Sequence, residues 1–511
     1  KRPGSRFVMD VDDTTTGEWF GYYRDPDNQY IGVIKQDGTM NIYNIIDPTD
    51  NITLKAYNTV VPFSNVVDPA PVSGTFTDPK TVPYNYFKHT KKGSLQFITI
   101  EDYTYVVNRE IKPKMKSTKG NASDIPINDA YVEVKILAYG REYEFEIEPV
   151  VPYPSSVTDN NTQKISYKTA AGANEQISVN DILNSPVATE NPAGGWITQL
   201  IANSTALGII ESSVKQIGNG VYFRREDTTD SSPENGFAIS VLDTQTINGF
   251  TDSVNSFDRL PYQCKNGMIV EVTNTDEPEE DGFFVKFKGS EDQDGVGVWE
   301  ETIEPGEYIE FDLDTMPHVI KRTTAGNFDI GQGNYAKRGA GNDDTNPLPS
   351  FINETNAEAD GIPINKILLF RNRLVYLAGT NAVCAQAGTF GAQGAPVDFF
   401  STSVLVLSPT DPIDIAASSR RPATLYDGLE INNGIVLFGA TQQFLLTSED
   451  SNVGFAPDTA KLTNIANYEY DQSVSPISLG TTVAFANTGG ASFRFLQLAE
   501  IEQTGEPNAT E

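Results

Sequence analysis

The chain has only two cysteines, Cys264 and Cys384, in 511 residues, which excludes a disulfide framework and leaves each to be read as a small buried hydrophobe. Its two histidines, His89 and His318, stand far apart, without the spacing of a zinc site or of a nucleophile's base. Both are expected as ordinary surface or packing residues. No apolar run reaches the roughly 18 residues of a membrane span, and no charged-then-apolar leader is present. Basic residues are scarce as well. Lys and Arg number 37 against 69 Asp and Glu, a formal charge of −32, with no basic stripe long enough to neutralise a row of phosphates. Tight nucleic-acid binding is therefore not expected, and the same excess would repel DNA from a wall. The chain begins Lys1-Arg2-Pro3 without a methionine and stops at Glu511 in a polar tail, so truncation at both ends is expected.

What is there is a mixture suited to short strands joined by many turns. Hydrophobic residues make up 38% and aromatics 10%, far above a disordered chain, and Gly, Asn, Asp, Thr and Pro punctuate the sequence throughout. Several stretches show one shape, an apolar alternating run, a tight polar turn, and a second run, which is the signature of an antiparallel hairpin. The first is Tyr30 to Ile46, turning at Asp37-Gly38. Leu95 to Val107 turns at Glu101-Asp102, and Ile367 to Gln386 turns at Arg371-Asn372 and Gly379-Thr380-Asn381. Gly434 to Thr447, and Thr482 to Leu498 around Asn487-Thr488-Gly489-Gly490, complete the set. Recurring hairpins of this kind predict a β-propeller, with a β-sandwich as the competing architecture.

Between the second and third hairpins the texture changes, which predicts an insertion over residues 116–360. It opens with strands Tyr131 to Leu137 and Glu142 to Ile147. A helix is expected from Trp196, after Gly194-Gly195, with Ile197, Leu200 and Ile201 apolar, followed by a hairpin from Val214 to Arg224 across Gly218-Asn219-Gly220. The expected division is a first propeller portion at 1–115, an inserted α+β region at 116–260, a second inserted β region at 261–360, and a second propeller portion at 361–511.

Residues that could carry chemistry are few. Gly331-Gln332-Gly333-Asn334-Tyr335-Ala336 fits the loose dinucleotide fingerprint, but no clear strand leads in and no helix follows, so it reads as a loop. Carboxylates are too numerous for a glycosidase pair to be singled out by spacing. Asp10-Val11-Asp12-Asp13, Asp292-Gln293-Asp294-Gly295 and Asn342-Asp343-Asp344 could offer oxygen to calcium, yet none has the Gly and Glu spacing of an EF-hand. The acids Asp276, Glu277, Glu279, Glu280 and Asp281 read as solvated loops around the strand Phe283 to Phe287. No catalytic residue, metal site or cofactor is expected. Arg371 and Arg373 flank a hairpin turn from which both side chains can leave on one face, either toward an interface or channel or into salt bridges that fix adjacent blades. The doublets Arg224-Arg225 and Arg420-Arg421 could orient partners.

Several local words carry a resemblance. They are Asp102-Tyr103-Thr104-Tyr105-Val106-Val107-Asn108-Arg109, Tyr139-Gly140-Arg141-Glu142, Met316-Pro317-His318 and Gly326-Asn327-Phe328-Asp329. The most specific is Asp344-Thr345-Asn346-Pro347-Leu348-Pro349-Ser350-Phe351, followed by Leu369-Phe370-Arg371-Asn372-Arg373-Leu374. Asp411-Pro412-Ile413-Asp414 and Gln443-Phe444-Leu445-Leu446 continue in the same order. In these words the chain resembles the tail nozzle family (tail tubular protein B) of the Autographiviridae short-tailed podoviruses. Leu348 stands where family members often carry tryptophan, and the family extends before Lys1 and well past Glu511 into further blades and a distal tip.

The resemblance implies a structural virion protein of the phage tail, assembled in the bacterial host cytoplasm. It implies a homo-hexameric tube below the ring-shaped adaptor or gatekeeper (tail tubular protein A), with tail fibres anchored near their junction and double-stranded DNA passing without tight binding. Six copies of −32 agree with a lumen along which DNA slides. The fold implied is mainly β, an incomplete β-propeller interrupted by an inserted α+β/β platform region. Arg371, Arg373, Asp344, Asn346, Phe351, Asp411 and Asp414 are the candidate interface or blade-fixing residues. Two other classes compete with a structural role: a propeller-type glycan hydrolase or depolymerase, and a glycan-binding adhesin.

Overall fold

The computed structural model describes residues 11, 17–60, 76–121, 128–149, 162–172, 175–188, 192–225, 236–274, 282–323, 325–389, 395–418, 423–431, 434–448, 454–480, 482–488, 492–500 and 507–510. The acids at 10, 12 and 13, those at 276–281, and Arg420 with Arg421 lie outside them. The fold is mainly β.

Five sheets follow one another along the chain. The first is a three-stranded antiparallel meander of Glu18–Asp25, Asn28–Ile34 and Met40–Asn44. The second has the order Leu54–Val60, Phe328–Gln332, His318–Arg322, Tyr103–Asn108, Leu95–Ile100, antiparallel except for the parallel pairing of Leu54–Val60 with its neighbour. The third (Ile364–Phe370, Arg373–Ala378, Asn381–Cys384, Ile413–Ala416) and the fourth (Leu425–Ile431, Gly434–Gly439, Gln443–Ser448, Ala460–Ala466) are four-stranded antiparallel meanders in chain order. So is the fifth, of Ile477–Ser478, Thr482–Ala486, Phe493–Glu500 and Pro507–Thr510.

These sheets stack face to face, and the sequence shows why. Strands Tyr103–Asn108, Arg373–Ala378 and Gly434–Gly439 are buried at every position, because successive side chains enter different cores. Val106 packs with Phe20, Tyr30, Ile320 and Phe328 toward the first sheet, while Tyr105 and Val107 pack toward the third with Leu374 and Tyr376. Val375 and Leu377 then meet Ile435 and Leu437 of the fourth sheet. Val436 and Phe438 meet Val483, Phe485 and Leu496 of the fifth. Each such aliphatic side chain contributes about 1.5–3 kcal/mol by leaving water. One edge strand from each successive sheet, Glu18–Asp25, Leu95–Ile100, Ile364–Phe370, Leu425–Ile431 and Ile477–Ser478, touches the next in order, as do the last strands of the third, fourth and fifth. The hairpins at 95–107 and 367–386 are therefore spatial neighbours.

The second sheet is interrupted. Strands Tyr103–Asn108 and His318–Arg322 are hydrogen-bonded neighbours, with Val106 opposite His318, yet the chain between them builds a separate module. Residues 318–332 fall within the segment expected as insertion, yet they pair with Tyr103–Asn108 and Leu54–Val60, which precede it. Gly331 and Gln332 are likewise in a strand, and not in the loop expected of them. The chain leaves and returns through a ribbon of 113–121 against 303–313. Its cross-links are Asp312 N–H to Lys114 O (2.8 Å), Lys116 N–H to Glu310 O (3.0 Å) and Gly120 N–H to Glu307 O (2.8 Å), with bridges Met115–Phe311 and Lys119–Tyr308.

Among the described residues the module holds three sheets. Asp129–Val134 and Gly220–Arg224 lie side by side between Lys215–Ile217 and Ile247–Phe250. One of their faces, with Val132, Val134, Val221 and Phe223, packs on the sheet Phe237–Val241, Glu142–Pro149, Gln163–Lys168 and on helix Trp196–Ala202. The other, with Tyr131 and Tyr222, packs on a five-stranded sheet whose centre is Ile269–Val272, Phe283–Gly289 and Gly295–Thr302. The helix starts where expected, directly after Gly195; Trp196 is buried edge-on against Phe145 and donates to Tyr143 O (3.3 Å).

Candidate functional site

The hairpin turn at Arg371-Asn372 takes positive φ at both residues (45° and 64°), the geometry of a tight type I′ turn. That choice separates the two arginines. Arg371 projects into solvent with its guanidinium 5.7 Å from the Phe370 ring centroid. Arg373 opens the next strand opposite Phe370 and is 1% exposed. The expectation that both leave on one face is corrected: the positive-φ turn holds Arg371 outside the strands and exposed, while Arg373 begins the next strand and points inward.

Arg373 forms no ion pair among the described residues. Its Nη1 donates to the carbonyls of Ala385 (3.1 Å), Thr410 (3.0 Å) and Asp411 (2.7 Å), and Nη2 to that of Pro409 (2.6 Å). One planar fork thus holds the base of a loop at four points. Burial lowers its pKa from the ordinary arginine value, but an arginine stays charged. Asp411 is buried beside it and accepts from Ser408 N–H (2.7 Å). Burial, with help from the Asp411 charge, pushes the nearby Asp398 carboxyl up to about 6 against the opposing Phe400 N–H.

Asp414 ties a second segment to the third sheet, accepting from Ser350 N–H (2.8 Å), Ser350 Oγ (2.9 Å) and Asn381 Nδ2 (2.7 Å). Asn346 is buried four residues before Ser350; its Nδ2 donates to Ala340 O (2.9 Å) and Ser401 O (3.0 Å), and its Oδ1 accepts from Ser401 N–H (3.0 Å). Phe351 sits among Phe399, Phe311 and Tyr376 at 5.3, 5.9 and 6.0 Å. Asp344 faces solvent, as Asp414 does, and its N–H donates to Asn342 Oδ1 (3.1 Å). Six of the seven candidates therefore lie in or beside one junction, where segments 340–351 and 398–411 are fastened to the third sheet, and Arg371 is its exposed neighbour. The arrangement fixes sheets and loops.

Three anchors carry no local sequence signal. Arg109, directly after Tyr103–Asn108 of the second sheet, donates to Gly93 O (3.1 Å) in the turn before Leu95–Ile100 and to Asn365 O (2.6 Å) and Tyr426 O (3.1 Å) of the third and fourth sheets. Lys366 and Asp427 pair across the third and fourth sheets. Arg338, fully buried, clamps Glu307 of the ribbon (3.3 Å) and Asp343 (2.9 Å). His318 and His89 are packing residues. His318 stacks on Tyr86 at 3.9 Å; Nε2 donates to Leu313 O (3.1 Å), so Nδ1 accepts from the Tyr84 hydroxyl (2.8 Å), and burial pushes its pKa down to about 3. Cys264 and Cys384 are buried free thiols. Among the described residues no cluster of three or more His, Cys, Asp or Glu is placed to hold a metal, and no helix is long and apolar enough to cross a membrane.

A family model described as bacteriophage nozzle protein matches residues 64–511. The chain is also similar to the tail tubular protein gp12 of Escherichia phage T7, 25% identical over 409 residues, which are 79% of this chain and 45% of that protein. The chain thus spans less than half the length of that relative.

Proposed function

The chain belongs to the bacteriophage nozzle proteins, and from that membership we propose that it is one subunit of a hexameric tail nozzle through which the genome leaves the virion. The family and the T7 relative are structural tail proteins, components of the virion and not enzymes, which sets aside the hydrolase reading. The observation that carries the proposal is the family match running from 64 to 511, through the sheets on both sides of the inserted module. The fan of sheets supports reading the chain as a propeller arc. Leu95–Ile100, Tyr103–Asn108, His318–Arg322 and Phe328–Gln332 are then one blade, whose second-to-third-strand connection has grown into the module. This divides the chain into propeller segments before 113 and after 313, with the platform module between them.

Within such a tube the candidate junction is a blade-fixing element, and charge favours passage of DNA without adhesion. Docking to an adaptor ring and to tail fibres follows from the same reading. The test is two-dimensional class averaging of the purified protein. Six-fold rings with an axial opening are expected; single copies, or another symmetry, would overturn the proposal.

A further inference from the structure

Residues 122–302, between the two sides of the ribbon, hold 30 acidic and 11 basic side chains, so −19 of the total −32 resides in the inserted module. One end of that module departs from this character. The loop 135–141 and the loop 242–246 run side by side, joined by Lys135 N–H to Thr246 O (2.8 Å) and by the ion pair of Arg141 with Asp243. Together they present Ile136, Leu137, Tyr139 and Leu242, which are 56%, 36%, 49% and 65% exposed. Their charges, Lys135 and Arg141 against Glu142 and Asp243 at the loop ends, cancel.

The backbone is held so that these side chains cannot fold away. The buried Tyr143 hydroxyl donates to Ile136 O (2.7 Å) and accepts from Ala138 N–H (2.8 Å). Thr169 Oγ1 donates to Ala138 O (2.7 Å) and accepts from Arg141 N–H (3.0 Å). Gly140 supplies the left-handed turn (φ 62°) between them. A rigid apolar patch with its ordering entropy already spent is a favourable docking surface.

Charge selects the occupant. Nucleic acid and anionic membranes are repelled by a module of this sign, and a basic partner would seat on its acids instead. A second copy of this chain brings the same negative charge, and can approach only where the surface is electrically neutral and apolar. We propose that this tip is a contact between neighbouring copies, seated on a different surface of the next copy, since ring closure requires head-to-tail contacts. The inference rests on the ring-forming reading above.

The test is the double substitution Tyr139→Asp with Leu242→Asp, both at exposed positions, compared with the unchanged chain by sedimentation and class averaging. Association weakened roughly tenfold or more, with an unchanged thermal melt, is the expected result. Equal mixtures with the unchanged chain should give open arcs, because each variant copy keeps its opposite surface and caps growth. Rings of normal size from the variant would overturn this contact and leave the nozzle reading standing. Single copies from the unchanged chain would overturn the nozzle reading and this contact with it. Vesicle binding by the unchanged chain that the variant loses would identify the tip as a membrane contact and overturn the proposal.

Discussion

Lys366 Nζ lies 3.0 Å from Asp427 Oδ1, a buried ion pair joining the first strands of two neighbouring sheets. The carboxylate also accepts from Gly428 N–H (2.8 Å) and Ser475 Oγ (2.8 Å), and Lys366 donates to Gln96 Oε1 (3.2 Å), so three sheets and the loop leading into the fifth meet at this pair.

Removing one partner strands the other charge. Asp427→Ala is expected to destabilise the chain by about 3 kcal/mol, and Lys366→Met with Asp427→Leu to recover much of that loss. Denaturant unfolding of the three proteins checks both; equal stability of the single and double variants would rule out the ion-pair account.

Arg373→Ala takes a donor from four carbonyls, of which that of Thr410 keeps the Ala387 N–H, and is expected to lower stability by about 3 kcal/mol. Arg373→Lys should restore only part, because an ammonium cannot span Pro409, Thr410, Asp411 and Ala385 as a planar fork does. Arg371→Ala, two residues away and in solvent, should fall within ~1 kcal/mol of the unchanged chain. The contrast is read from thermal melts of the three variants.

Asp398 gives the fold a pH dependence. Its carboxyl is raised from 3.8 to about 6 in the fold, so the folded chain binds more protons than the unfolded one across that window. Stability from this group is present below the unfolded value and is lost as pH rises toward 6. Asp398→Asn should therefore gain on the unchanged chain by ~1.4 kcal/mol per pH unit across the window and stay level above it. Paired melts between pH 4 and pH 7 measure the difference. A gap that does not change with pH would refute it.

The ends of the module meet, with Asn121 Nδ2 donating to Thr302 Oγ1 (3.1 Å) and Ile303 O (2.9 Å). Replacing residues 122–301 by a short Gly-Asn turn is expected to leave a protein with β-type circular dichroism and a cooperative melt. A product without a melting transition would show that the sheets depend on the module.

Much of this was legible because local chemistry and long-range packing agree. Runs such as Leu374-Val375-Tyr376-Leu377 and Ile435-Val436-Leu437-Phe438 have apolar residues on both faces, which only a sheet covered on both sides accommodates. Turn words located the hairpins. The burial of Arg373 was not legible, because only the turn type decides whether it or Arg371 faces inward. The pairings of Arg109 and of Lys366 with Asp427 join residues far apart in sequence, and polar residues of that spacing give no periodic signal. The return at His318 was hidden for a related reason: its two short strands find partners more than two hundred residues earlier, inside a segment dense with turn residues.

The ribbon at 113–121 and 303–313 also defines a load path. It feeds Tyr103–Asn108 and His318–Arg322 from the same end, because these antiparallel neighbours begin and end there. A pull on the module draws both strands in one direction, so the ladder between them feels no relative sliding. The force passes outward to two flanking ladders, with Leu95–Ile100 and with Phe328–Gln332, which share it in shear. Their hydrogen bonds must fail together and cannot be unzipped one at a time, so tension on the platform reaches the stacked sheets without first peeling a strand from its edge.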